Sequence, residues 1–244
     1  MKILVFGDSH ALYFGMTEQV KRYLKHNIEG IEINNHVYAG GTINGFGRRD
    51  STLGLYDKIL YSIDEFKPDV VCIGFGQVDL ELGYYYKKYV KEEDFEFNEW
   101  ALSTLTVYSN FIKDLGVPVV VKGLNPPVLV SSRNKAINYT RRIITENIKD
   151  KSKAKLVINR MKAEFPSDLY RISMTNIFNN HLKTMCSANN WSYFDLHDEL
   201  TDLNTGMIRS AFIPTKPDHH VIDSIYVRSI FIDKLLDEIK SQLG

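Results

Sequence analysis

Short apolar runs alternate along this chain with segments whose apolar positions recur at helical spacing. Lys2 to Phe6 is an unbroken strand-like run that ends at Gly7-Asp8-Ser9-His10. Ala11 to Lys25 follows with Leu12, Phe14, Met16, Val20 and Leu24 near helical spacing, and Ile31 to Tyr38 is a second strand closed by Ala39-Gly40-Gly41. Ser51 to Phe66 reads as a helix through Leu53, Leu55, Ile59, Leu60 and Ile63. After Lys67-Pro68-Asp69 comes Val70 to Phe75, the most hydrophobic strand. A helix over about 98–115, a strand at Val119 to Val121, a helix over about 173–188, a strand at Trp191 to Asp195 and a final helix over about 221–243 complete the order. Strands separated by helices require crossover connections, hence a mostly parallel sheet covered on both faces. The pattern predicts a single α/β domain over residues 1–244 with a five-stranded parallel sheet.

One stretch departs from this rhythm. About fifty residues separate Gly123 from Ser173, where a compact α/β connection needs only a few. Residues 131–171 hold eleven Lys and Arg against four acids, so an insertion or lid at about 125–172 is locally basic. It reads either as a solvated helical hairpin or as a lid that favours an anionic substrate or donor.

Composition narrows the classes. Thirty basic residues balance thirty acidic ones, so no global field argues for nucleic acid or a membrane surface as partner. The chain has no apolar run of about eighteen residues for a membrane span. The apolar N-terminal run is too short for a signal-peptide core, and a cytoplasmic location is expected. Two cysteines, Cys72 and Cys186, form neither a disulfide framework nor a metal-ligand spacing, and Cys72 sits in an apolar run as a small core residue. With no Walker loop, no GxGxxG and no His/Cys cluster in sequence, no organic cofactor and no metal is implied.

The candidate chemistry starts at Ser9. A serine after the first strand of an open α/β sheet stands where such sheets bind ligands, outside the carboxyl ends of the strands. The competing reading is that Asp8 or Ser9 simply caps the following helix. A serine nucleophile needs a base, and the base an orienting acid. Of seven histidines, His219 and His220 stand out because Lys216-Pro217-Asp218-His219-His220 directly precedes the last helix. Here too a bland alternative exists, with Asp218 as a cap and both histidines on the surface. Tyr84, Tyr85, Tyr86 and Tyr89 either stack on sugar rings or form the half-buried face of a helix start.

Taken together, Gly7-Asp8-Ser9, the glycines after the second strand, Gly76-Gln77-Val78-Asp79 after the third and Asp218-His219-His220 resemble the SGNH (GDSL) hydrolase superfamily. The resemblance runs from Met1 to about Leu243 apart from the basic insertion. It implies a three-layer α/β/α flavodoxin-like fold, and hydrolysis or transfer of acyl groups on esters. Ser9 falls on the family's nucleophile and His220 on its base, with Tyr226 at the family's spacing beyond it. Gly40 falls on the glycine whose amide binds the oxyanion, with Gly41 as its one-residue alternative, alongside the amide of Ser9.

Two positions depart from the family pattern. The third block usually carries an asparagine donor where Val78 stands, and valine has no donor in its side chain; Gln77, one residue away, is the candidate substitute. The family's aspartate usually lies three residues before the histidine, at Pro217 here, so Asp218 is expected to act from one residue closer, with His219 as the fallback base. Asp8, His10, Asp79 and His219 flank these positions and are expected to contact substrate. A subset of the superfamily with Gly-Asp-Ser-His and Gly-Glu/Gln-x-Asp blocks resembles proteins of surface polysaccharide metabolism. The expected function is a serine-dependent esterase acting on a small-molecule or carbohydrate ester. Its rivals are an O-acyltransferase of the same fold and a binding protein whose oxyanion site has decayed.

Overall fold

The computed structural model describes residues 1–46, 53–130 and 132–243. Five strands, β1 (Lys2–Gly7), β2 (Glu32–Val37), β3 (Val70–Gly74), β4 (Val119–Lys122) and β5 (Ser192–Phe194), form one sheet in the order β2-β1-β3-β4-β5. All neighbouring pairs are parallel. This is the doubly wound order whose topological switch lies between the first and third strands.

Alternation along each strand divides the core. Leu4, Phe6, Val71, Ile73, Val119 and Val121 face one layer, while Ile3, Val5, Val70, Cys72 and Val120 face the other. The first layer contains α3 (Leu55–Phe66), α4 (Phe97–Lys113) and α7 (Asp168–Ala188). The second contains α1 (Glu18–Tyr23) and α9 (Ile225–Leu243). Both faces of the sheet are covered, which is why its strands are apolar throughout rather than alternating. Two four-residue helices, α2 (Ile43–Phe46) and α8 (His197–Leu200), lie in the connections.

The elements differ from the sequence pattern in several places. The expected helix over 11–25 is a 3₁₀ turn, Ser9–Phe14, and then α1, because Gly15 adopts an extended backbone and Thr17 caps a fresh start by accepting from Val20 N. The expected helix over 51–66 begins at Leu55 behind Gly54, whose φ is +55°. Residues 51 and 52 lie outside the described residues, and Leu53, expected on its apolar face, is exposed. The last helix starts at Ile225 rather than 221, since Tyr13 Oη donates to Val221 O at 2.7 Å and holds that segment against the 3₁₀ turn.

Gln77 to Val90 is helical and contains two π-helical segments, Asp79–Gly83 and Tyr86–Val90. Tyr84, Tyr85 and Tyr89 are buried in it, packed against Trp100, Phe97 and Phe165. Of the two readings, these three rings follow the helix-face one and are more fully buried than it requires. Tyr86 alone of the four is exposed.

The basic insertion is a helical hairpin, α5 (Arg133–Ile144) and α6 (Lys151–Glu164), that runs into α7 five residues earlier than the expected start near 173. Residue 131, where the basic stretch begins, is outside the described residues. The hairpin is not merely solvated. Ala136, Ile137, Ile144, Val157, Met161 and Phe165 join the core layer over the π-helical segments, and Arg133 ties the two ends together by donating to the carbonyls of Lys162 and Phe165. Among the described residues no helix is long and apolar enough to cross a membrane.

Candidate active site

The site forms at the carboxyl ends of β1 and β3, on either side of the switch point. β1 delivers Gly7-Asp8-Ser9. A Cβ on Gly7 would come within 2.6 Å of both Ala11 Cβ and Gly74 O, so only glycine allows the chain to turn this tightly beside β3. Asp8 then caps the 3₁₀ turn, its Oδ1 accepting from His10 N at 2.9 Å. Its Oδ2 accepts from Val78 N at 3.2 Å and ties the turn to the segment after β3. Burial pushes the Asp8 carboxyl up to about 6. The cap and nucleophile readings of this motif are thus compatible: Asp8 caps, and Ser9 faces outward from the turn.

Ser9 Oγ lies 2.8 Å from His220 Nε2, and His220 Nδ1 lies 2.7 Å from Asp218 Oδ1. A carboxylate only accepts, so Nδ1 carries the proton and Nε2 is left to accept from the serine hydroxyl. The same Asp218 oxygen accepts the backbone N–H of His220 at 3.1 Å. That closed turn is how an acid two residues before its histidine reaches the ring. Burial opposes ionisation of Asp218, yet the hydrogen bonds from His220 outweigh it and hold the carboxyl below its ordinary range. Burial, aided by the neighbouring His219, pulls His220 below its ordinary value against the opposing effect of Asp218. The imidazole is therefore neutral, and able to accept a proton, at pH 7.

A second histidine–carboxylate pair lies beside the first. His219 Nδ1 is 2.8 Å from Glu81 Oε2, and both side chains are largely buried. Burial disfavours charge on His219, but Glu81 outweighs it and raises the imidazole above its ordinary value. His219 stands edge-on to His220 at 4.2 Å between ring centroids. Its Nδ1 is held by Glu81, and the imidazole that meets the serine is that of His220, so the geometry does not favour His219 as the fallback base. Glu81 was not legible as a site residue, although its i,i+4 relation to Gln77 was visible in the sequence.

Several expected contacts are corrected by burial. Asp8 and His10 are inaccessible, and His10 stacks on His220 at 4.2 Å and 20°; neither nitrogen of its ring has a hydrogen-bond partner among the described residues. Asp79 is also buried, accepts from Ile43 N at 2.8 Å, and is pushed up by burial to about 7. It braces the loop that carries Gly40. None of these three presents itself to a substrate. His219 differs in lining a cavity, together with Glu81, Tyr85, Tyr139 and Arg171.

The oxyanion candidates separate in the same way. Gly41 N donates to Tyr38 O at 2.8 Å, closing the turn after β2, so its amide is engaged. Gly40 adopts φ +72°, a conformation suited to glycine, and neither its amide nor that of Ser9 enters a backbone turn bond among the described residues. Gln77 is corrected outright. Its Nε2 donates to Glu81 Oε1 at 2.9 Å and to Asn125 O, while its Oε1 accepts from Asn125 N at 2.8 Å. With its amide engaged on both ends, it braces the loop after β4. Below it Lys122 Nζ, lowered by burial to about 8, donates to Asn125 Oδ1 and Gly123 O. Val78 and Gly40 share a groove with Thr42, Leu82, Tyr86, Ile143, Asn147 and Ile148, and Val78 itself brings no side-chain donor to it.

Among the described residues, His10, His219 and His220 are the group whose ligating atoms come together, within 4.8 Å of one another. His220 Nε2 already faces Ser9, and His10 lies flat against His220. Two stacked rings cannot both aim a nitrogen in-plane at one ion, so the cluster as built does not fit a shared metal.

Comparison with known proteins agrees with this fold. No protein-family model and no curated protein matches the sequence. Solved structures do match. An acetyl-xylooligosaccharide esterase from Geobacillus, Axe2, superposes with a TM-score of 0.56 at 16% identity, covering 98% of this chain and 93% of that one. TesA superposes with a TM-score of 0.53 at 12% identity, covering 99% of each chain. Two further Axe2 structures are catalytic mutants, one at a serine and one at an aspartate. The chain has the three-layer α/β/α fold of the SGNH (GDSL) hydrolases.

Proposed function

We propose that the protein is a serine-dependent ester hydrolase of the SGNH type. The observation that carries this reading is the continuous hydrogen-bond chain from Ser9 through His220 to Asp218. Ser9 Oγ attacks the ester carbonyl while His220 Nε2 takes its proton, and His220 then returns that proton to the leaving alcohol. Asp218 holds the imidazole in the tautomer that accepts at Nε2 and stabilises the imidazolium as it forms. The amides of Ser9 and Gly40 bind the carbonyl oxygen as it becomes negative. Water, activated by the same imidazole, releases the acid from the acyl-serine.

For substrate we propose an O-acylated carbohydrate with a short acyl group, supported by the acetyl-xylooligosaccharide esterase among the similar folds. The excess of Lys and Arg on the insertion favours an anionic one. The reading is tested by hydrolysis of acetylated oligosaccharides, with and without acidic sugars, by the protein and by its Ser9→Ala variant. Acetate release that depends on Ser9 supports it, and release that survives the substitution overturns it. Transfer to a second hydroxyl in place of water is the second reading, favoured by the packing of the insertion against the site; acetylated acceptor sugar formed at the expense of free acetate distinguishes it.

A further inference from the structure

The insertion brings into the site one side chain that no motif marks. Tyr139, on α5, donates from Oη to Asp218 Oδ1 at 3.3 Å, the same oxygen that accepts both donors of His220. The backbone amide of His219 faces the same hydroxyl. We propose that Tyr139 is a positioning residue that holds Asp218 in line with His220, so that the basic insertion completes the catalytic triad rather than merely covering it. This inference rests on the esterase reading of Ser9, His220 and Asp218.

The need for such a group follows from the spacing. Asp218 stands two residues before its histidine; from its own segment it is gripped by that histidine's amide and ring, both at one oxygen, while 45% of its side chain is exposed. A half-exposed carboxylate held from one direction by its own chain has water and other rotamers as alternatives. A donor from a separate, rigid element removes them. Tyr139 meets that requirement. Its ring lies 5.2 Å from that of His219, with the Arg142 guanidinium 5.3 Å away, and α5 is anchored through buried Ala136, Ile137 and Ile144. Burial raises the phenol above its ordinary value, so the hydroxyl keeps its proton and remains a donor throughout the working pH range.

The test is Tyr139→Phe, which keeps the ring and its packing. The groups facing the triad pair are His10, His219, Glu81, Tyr13 and Tyr139, and only the last is altered. Loss of one donor to the carboxylate is expected to lower kcat by about three- to tenfold, with KM changed by less than about twofold. It also frees Asp218 to turn away from the ring, so the His220 imidazolium loses the partner that raises it and the ring titrates at lower pH. That titration is followed directly by ¹⁵N NMR of the histidine side chain. Fluorophosphonate labelling of Ser9 in the unsubstituted protein is measured alongside. Labelling together with a slower Tyr139→Phe enzyme and a downward shift supports the inference. Labelling with an unshifted or raised His220 titration overturns the role of Tyr139 and leaves the esterase reading standing, whether or not kcat falls. Absence of labelling overturns the esterase reading and this inference with it.

Discussion

Ser9 Oγ and His220 Nε2 are 2.8 Å apart although 211 residues separate them in sequence. The contact exists because β1 and the segment before α9 both end at the same edge of the sheet. Gly7 and Asp8 fix the turn after β1, and Tyr13 on that same turn holds the second segment against it through Val221 O.

The pH dependence of turnover follows from His220. Burial and the neighbouring His219 lower this imidazole, and it acts as a base only when neutral. The kcat/KM profile is therefore expected to rise with pH through a midpoint below the ordinary histidine value of about 6.5 and to be flat around neutrality. A pH–rate profile measured on an activated ester checks this; an acid limb centred well above that value contradicts it.

The His219–Glu81 pair makes a stability prediction of definite sign. The folded-state value of His219 is raised, so the pair's contribution is fully present below the unfolded value of about 6.5 and is lost as pH rises through the raised folded value. Glu81→Gln should accordingly destabilise the protein by about 3 kcal/mol near pH 6, because it leaves a buried charge without its partner. The gap to the unsubstituted protein should close toward about pH 9 as His219 becomes neutral in both. Urea unfolding at the two pH values measures it, and a gap that widens with pH contradicts the assignment.

In the proposed mechanism Val78 leaves the oxyanion without a side-chain donor at its position. Its side chain lines the groove with Gly40 and offers no donor. Gln77 cannot substitute, because its amide is engaged with Glu81 and Asn125. Val78→Asn should raise kcat by about tenfold or more, since one oxyanion donor is typically worth about 10²–10³. Steady-state kinetics on the two proteins decide the matter; an unchanged kcat shows that backbone amides suffice.

Much of this arrangement was legible before any coordinates. The five strands declared themselves as apolar runs, whereas Ser9 and His220 each had a cap or surface alternative as local signals and were singled out only by the resemblance of the combined motifs to a known family. What was not legible depends on contacts between distant segments. Gln77 looks like a donor from its register, but whether its amide faces a substrate or Asn125, 48 residues away, is decided by how the loop after β4 packs. Tyr139 reaches Asp218 across 79 residues and carries no signature in the sequence. The hairpin is a different case. Ala136, Ile137, Thr140 and Ile144 are all buried on α5 and recur at helical spacing, a pattern masked by the basic residues between them. The 3₁₀ turn after Ser9 escaped for a third reason, since Leu12, Phe14 and Met16 suit a helix until Gly15 and the Thr17 cap divide the segment.

The central claim is that Ser9 is a nucleophile activated by His220. Intact-mass spectrometry after treatment with a fluorophosphonate tests it most directly, on the unsubstituted protein and on its Ser9→Ala and His220→Ala variants. The account predicts one covalent adduct on the unsubstituted protein, none with Ser9→Ala, and greatly slowed labelling with His220→Ala. No adduct on the unsubstituted protein, or an adduct that persists in Ser9→Ala, would contradict it.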